Sequence, residues 1–339
     1  MSNTPIIALD AMGGDFGPEV VIPAAIRLLK DKPNTRLILV GLEDVIAGVL
    51  RQHGVETSEQ LQIQHASEVV AMDEAPAMAL RKKKDSSMRV AINLVHDGKA
   101  DAVVSAGNTG ALMATAKFVL KTLPGIDRPA IMSTLPTARG HTHMLDLGAN
   151  VDCSAENLYQ FAVMGSVAAS AVDGIASPTV GLLNVGSEAM KGNAQVKAAE
   201  KLLQSSELNY YGYVEGNDIY QGTVDLVVCD GFVGNISLKT AEGVAKMITD
   251  HMKQSYKKSL YSKLAAILSL PILKAMKKRF DHRVYNGASL LGLQNIVIKS
   301  HGGADAYSFC NAIKVALLEV EQAVPQRIDK HLENILEEK

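Results

Sequence analysis

The 339-residue chain carries 34 Lys and Arg against 36 Asp and Glu, a formal charge of -2, so bulk charge gives no reason to expect a nucleic-acid partner. Hydrophobic residues make up 47%, yet only 4% are aromatic and tryptophan is absent, which calls for an aliphatic core of the kind that fills buried parallel strands. The length admits one large α/β unit spanning 1–339 or two lobes.

In chain order, short aliphatic runs fall at residues 6–9, 36–40, 102–104, 130–133, 143–147, 180–184, 226–229 and 296–299. Each is followed by a Gly-, Asn-, Ser- or Asp-bearing loop and then a helical stretch. Strands alternating with amphipathic helices predict right-handed βαβ units and a mainly parallel sheet. Gly17-Pro18-Glu19 places proline and then an acid where a first helical turn favours them. After Asn108-Thr109, Leu112, Met113, Ala116, Val119 and Leu120 recur at helical spacing until Pro124-Gly125. A second such helix is expected after Asn235. A change from an Ala/Val-rich helix to a strand near 174–178 marks a weak lobe boundary.

The chemistry sits in the loops after the strands. They read Asp10-Ala11-Met12-Gly13-Gly14-Asp15, Ser105-Ala106-Gly107-Asn108-Thr109-Gly110, Asp146-Leu147-Gly148-Ala149-Asn150, and Gly186-Ser187 with Lys191-Gly192-Asn193. Asp230-Gly231-Phe232-Val233-Gly234-Asn235 and His301-Gly302-Gly303 complete the set. In open α/β sheets such loops converge on one crevice at the carboxyl edge. Glycines let backbone N–H groups approach an oxyanion, and the following helix N-terminus adds partial positive charge. An anion-binding cleft is therefore expected. Asp10, Asp15, Asp146 and Asp230 would repel an anion if they faced it; capping a loop, orienting Lys191 or His301, and holding a metal remain alternatives. Gly-Lys-Ser/Thr and Gly-x-Gly-x-x-Gly are both missing from these loops, which disfavours a Walker-A site and a dinucleotide fold. No carboxylate cluster marks a metal site, and none is assigned.

These motifs closely resemble those of the PlsX family, the acyl-[acyl-carrier-protein]:phosphate acyltransferases, from residue 6 to about 315. The resemblance implies a three-layer α/β/α sandwich of the isopropylmalate dehydrogenase/phosphotransacetylase type, acting as a homodimer without a cofactor. It implies an acyl carrier protein donor, inorganic phosphate as acceptor, and a long-chain acyl-phosphate passed to a membrane glycerol-3-phosphate acyltransferase for phospholipid synthesis. An acyl-CoA-using phosphotransacetylase and a non-catalytic acyl- or phosphate-binding protein are the competing readings.

Hydrogen phosphate is already an anionic nucleophile, so the protein must chiefly position two reactants and stabilise a tetrahedral oxyanion. Ser105, Gly107, Asn108, Thr109 and Gly110 are assigned to phosphate. Lys191 supplies charge, Asn235 and His301 serve the carbonyl oxygen or the leaving sulfur, and Asp230 joins them as a candidate catalytic residue. Asp10, Gly13, Gly14, Asp15, Asp146, Gly148, Asn150, Gly231 and Gly234 are expected at the substrate. Ser105 or Cys229 as an acyl-enzyme nucleophile is disfavoured, because neither has a base beside it in sequence.

Residues 253–283 hold nine basic side chains, including Lys257, Lys258, Lys277 and Lys278, interleaved with Leu264, Ile267, Leu268, Ile272 and Leu273. The pattern predicts two short amphipathic helices broken at Pro271. They suit an anionic membrane surface, acyl carrier protein, or packing within the protein or its dimer. Cys153, Cys229 and Cys310 are dispersed, which favours a reducing compartment. No signal peptide is read at the N-terminus, and no apolar run approaches the ~20 residues a bilayer requires, so a cytoplasmic protein is expected.

Overall fold

The structure, a computed structural model, describes residues 4–279 and 281–337. Among them are eleven strands: β1 (Ile6–Asp10), β2 (Arg36–Gly41), β3 (Leu61–His65), β4 (Ala102–Ser105), β5 (Ala130–Thr137), β6 (Gly140–Leu145), β7 (Val180–Leu183), β8 (Tyr210–Val214), β9 (Leu226–Val228), β10 (Ala288–Leu291) and β11 (Ile296–Lys299). The helices are α1 (Pro18–Asp31), α2 (Glu43–Gln52), α3 (Pro76–Lys82), α4 (Ser87–His96), α5 (Thr109–Leu120), α6 (Ala155–Asp173), α7 (Ala194–Gln204), α8 (Gly216–Gln221), α9 (Gly231–Lys257), α10 (Leu260–Arg279), α11 (Ala306–Glu321) and α12 (Val324–Glu337).

All strands join one sheet in the order β3-β2-β1-β4-β11-β10-β5-β6-β9-β7-β8. Pairing is parallel except at β11·β10, β10·β5 and β5·β6. Helices cover both faces, giving the expected α/β/α sandwich. One face carries a continuous core from Ala8, Val103 and Val297 through Leu290 and Ile131 to Met144 and Val227, with Met88, Ile92 and Leu112 from α4 and α5 packed on it. The other face packs on α1, α2 and α11 on one side, and on α6, α7 and α12 on the other.

Every aliphatic run expected to form a strand does so. β3, β8 and β10 were not foreseen. β3 and β8 are sheet edges whose solvent-facing polar and tyrosine positions dilute the aliphatic signal, and β10 is a four-residue strand between β11 and β5. Local caps explain where helices start: Pro18 opens α1, and Ser154 and Asn157 form a reciprocal capping box on α6, which ends at Gly174 in the left-handed conformation.

Two expectations need correction. The helix expected after Asn235 begins at Gly231, because Asp230 caps it by accepting from the Val233 N–H at 2.8 Å. Pro271 does not divide the basic segment; it sits inside a continuous α10. Proline's φ suits a helix, and its missing N–H removes only one rung of the ladder. The real break lies at Lys258 and Ser259, so α9 and α10 form a helical hairpin, here called the arm. Phe280 and the side chains of Lys277 and Lys278 lie outside the described residues.

Glu319 on α11 is buried among apolar side chains, where its Oε2 accepts from Ser289 Oγ at 3.0 Å. Burial pushes its carboxyl up to about 7 from an ordinary 4.5. The unfolded chain therefore ionises first as pH rises from 4.5, and stability falls until pH passes about 7. Glu319→Gln keeps an acceptor for Ser289 and removes this cost. Urea unfolding should show the variant gaining on the parent between pH 5 and 8 by roughly 3 kcal/mol, and parallel pH profiles would refute the assignment.

Candidate active site

The conspicuous loops gather into two groups. The first lies at the ends of β1, β4 and β11. Asp10 is buried and accepts from Ser105 Oγ and Ser87 Oγ, each at 2.6 Å. Burial raises its carboxyl above the usual range, although these hydroxyls oppose the shift. Ser105 Oγ in turn accepts the Gly107 N–H at 3.0 Å. The Asp15 N–H donates to Gly302 O at 2.9 Å, stitching the β1 loop to the β11 loop. Gly14 makes that approach at φ +89°, a conformation L side chains rarely adopt.

Asn108 was expected to donate to phosphate, and here the reading is corrected. Its Oδ1 caps α5 by accepting the Ala111 N–H, and its Nδ2 donates to the carbonyls of Met72 and Glu74 at 2.9 Å. Asn108 therefore ties the 71–74 loop to the helix start. Thr109 and Gly110 are exposed and open the first turn of α5, where backbone donors and the helix dipole favour an anion.

Lys299 went unrecognised in the sequence because it reads as the last residue of a buried strand. Its ammonium donates to Ala106 O at 3.2 Å and to Ser300 O. Burial pulls it down to about 8, with Asp10 and Asp15 opposing and Lys239 reinforcing the shift. His301 accepts the Gly303 N–H at Nδ1 at 3.0 Å, so the neutral ring carries its proton on Nε2.

The second group lies at the ends of β6 and β9. Asp146 is fully buried and receives N–H groups from Ile131, Ala149 and Asn150, plus Asn150 Nδ2, at 2.7–3.1 Å. Asn150 O then accepts from the Gly231 N–H at 2.8 Å. A β-carbon on Gly234 would collide with Asp146 O, so glycine there lets α9 start against the β6 loop. Asn235 is exposed at the fifth residue of α9 and packs beside Gly148. Lys191 is exposed on the loop after β7, where its N–H closes a turn on Glu188 O at 2.9 Å.

Asp10 and Asp146, expected at the substrate, thus sit beneath their loops and hold them. Cys229 is buried, and its thiol is raised well above its ordinary value by that burial and by the nearby Asp146 and Asp230 charges. Cys153 is raised to about 11 for the same reasons. Neither is a ready thiolate. Ser105 is fully buried.

The expectation of a single carboxyl edge is also corrected. β10 runs against both β11 and β5, and β6 runs against β5, so β6, β9 and β7 point opposite to β1, β4 and β11. Their loops leave in opposite directions from nearly one level, because Leu145 aligns through Met132, Ser289 and Ile298 with Val104. What unites the groups is a face. Leu147, Cys229, Ala149 and Leu238 pack on the same core as Ala8, Val103 and Met88. α9 leaves the second group and carries Lys239 close enough to Lys299 to oppose its charge.

A family model described as "Fatty acid synthesis protein" matches residues 6–327. The phosphate acyltransferase of Nitrosococcus oceani is 61% identical over 332 residues, covering 98% of both chains. That of Legionella pneumophila strain Paris is 58% identical over 94% of this chain and 93% of its own. Among solved structures, a phosphotransacetylase from Streptococcus pyogenes superposes with a TM-score of 0.64 at 19% identity, over 95% of both chains. The EutD phosphotransacetylase from Staphylococcus aureus gives 0.62 at 17%, over 94% of both, so the likeness shows a shared fold. The chain belongs to the fatty acid synthesis protein family, the PlsX family that its loop motifs resemble.

Proposed function

We propose that this acyltransferase moves a long-chain fatty acyl group from acyl carrier protein to inorganic phosphate, making an acyl-phosphate for phosphatidic acid synthesis. The observation that carries the reading is near-full-length identity to phosphate acyltransferases, 61% in the Nitrosococcus oceani relative. The geometry supports it with loops rich in amide donors and poor in available nucleophiles.

A phosphate oxygen attacks the thioester carbonyl carbon. The new C–O bond forms as the C–S bond breaks, and the phosphopantetheine thiolate departs and takes up a proton. Thiolate is a competent leaving group, with a parent thiol pKa near 8.5 by analogy with cysteine. Phosphate sits at the α5 N-terminus against Thr109 and Gly110, with the Lys299 ammonium close by. Asn235 and the Nε2–H of His301 serve the carbonyl oxygen or the sulfur, and Lys191 adds positive charge. Asp10, Asp146 and Asn108 act through the loops they hold.

The fold shared with phosphotransacetylases favours a second reading, in which acyl-CoA is the donor. Trapping the product with hydroxylamine decides between them. Acyl hydroxamate should form from long-chain acyl carrier protein plus phosphate, and far more slowly from acyl-CoA. A preference for acyl-CoA would defeat the carrier-protein reading.

The Lys299 ammonium persists below about pH 8 and is lost above it. The Michaelis constant for phosphate should therefore rise as pH passes 8, with kcat changing less. Lys299→Met should raise that constant at least tenfold at pH 7 and abolish the pH dependence. A phosphate affinity indifferent to both changes would remove Lys299 from the site.

The arm is proposed to serve the homodimer and the membrane surface. Leu260 and Tyr261 at its tip are 84% and 83% exposed, and Leu264, Ile267, Leu268 and Ile272 are also exposed. No helix among the described residues is long and apolar enough to cross a membrane. In vesicle flotation the protein should rise with anionic lipid at low salt and less so at high salt. Failure to rise at low salt would end the membrane reading.

A further inference from the structure

His141-Thr142-His143 lies at the start of β6, the end remote from Asp146. Residues two apart on a strand face the same way, and here both rings meet Asp173, the last residue of α6. His143 Nε2 is 2.7 Å and His141 Nε2 3.0 Å from the same oxygen, Asp173 Oδ2. The three potential ligand atoms lie within 4.8 Å of one another. The rings stand nearly perpendicular, at 76°, so they approach that point from different directions. On the paired strand, Thr134 Oγ1 is 3.1 Å from His143 Nδ1. When Nδ1–H donates to that hydroxyl, the Nε2 lone pair faces the carboxylate, and a cation between them removes the repulsion.

We infer that His141, His143 and Asp173 bind a divalent transition-metal ion of borderline softness, with zinc the leading case. Two imidazole nitrogens and one carboxylate oxygen form a three-ligand set that leaves a fourth position open. His143 is 4% exposed while the His141 side chain is 38% exposed, so the cluster can be reached from solvent on the His141 side. Each imidazole nitrogen, now 2.7–3.0 Å from Asp173 Oδ2, needs to move off it by a few tenths of an ångström. The two nitrogens, within 4.8 Å of each other, need to settle about 3.4 Å apart around an ion at about 2.0–2.1 Å from each ligand. Its place is structural. An ion there would clamp the β5–β6 hairpin to the end of α6, close to where Arg279 at the foot of the arm donates to Ala138 O at 2.7 Å.

The test uses the full chain stripped by a chelator and then titrated with zinc alone by calorimetry, and with cobalt by visible absorption. One ion per chain is expected, with the intense visible bands of a low-coordinate cobalt site. His141→Asn/His143→Asn should lose that binding, and Thr134→Val should weaken it about 10–100-fold by freeing the His143 ring. Should the double variant not fold, His141→Asn at the half-exposed ring is read instead, with the same loss expected. Absence of a one-per-chain ion, or undiminished affinity in a folded variant lacking the rings, would overturn the site and leave a hydrogen-bonded trio.

Discussion

A carboxylate taken out of water must recover its lost hydration from protein donors. Asp10 and Asp146 impose that condition at the two places where the sheet delivers its loops. Asp10 draws hydroxyls from the start of α4 and the end of β4, and one of them, on Ser105, then fixes the Gly107 amide. Asp146 draws amides from the start of β5 and from Ala149 and Asn150, and Asn150 passes the constraint to Gly231 at the start of α9. Satisfying each acid therefore fixes three chain segments at once. The backbone donors above them are held in place before any substrate arrives.

The same arrangement limits the chemistry. Of the cysteines near the site, Cys229 is buried and Cys153 half-buried, both resist ionisation, and Ser105 is sealed inside. Covalent capture of an acyl group thus has no convenient nucleophile. A reaction whose attacking group arrives already charged, as hydrogen phosphate does, asks for orientation and neutral donors instead. Lys299 adds the one buried cation described beside these loops, and its ammonium is held by carbonyls and nearby acids rather than by a salt bridge.

Much of this was legible in the sequence. Aliphatic runs gave the central strands, because burial on both faces leaves no polar alternation to confuse them. Loop composition pointed to the Gly14, Thr109, Asp146 and Asp230 regions, because a tight turn or a helix start has few chemical solutions. The direction of the strands was not legible. β5 and β6 pair as an antiparallel hairpin that nothing in their aliphatic runs marks, yet that pairing reverses the second half of the sheet and separates the loops. Side-chain allegiance was equally hidden. Asn108 looks like an anion donor until its amide is found on Met72 O and Glu74 O, contacts spanning more than thirty residues. His141 and His143 gained meaning only when Asp173 arrived from the far end of α6.

The arm shows why a single basic face in sequence became two different things in space. Lys253, Lys257, Lys258 and Lys263 are exposed around the turn between α9 and α10, beside the exposed Leu260 and Tyr261. At the foot, Arg279 donates to Ala138 O, and Arg283 is shared between Asp281 and Asp305. The foot charges are engaged in holding the arm to the sheet. The tip lysines are spread over an apolar end that α9 does little to cover, since only Gly231 and Gly234 of that helix are buried. Helices of this length draw most of their stability from packing of an apolar face. Charge placement bears on the geometry of both proposed contacts: a lipid contact would be made tip-first, leaving the flanks of α9 and α10 for the proposed second copy of the chain.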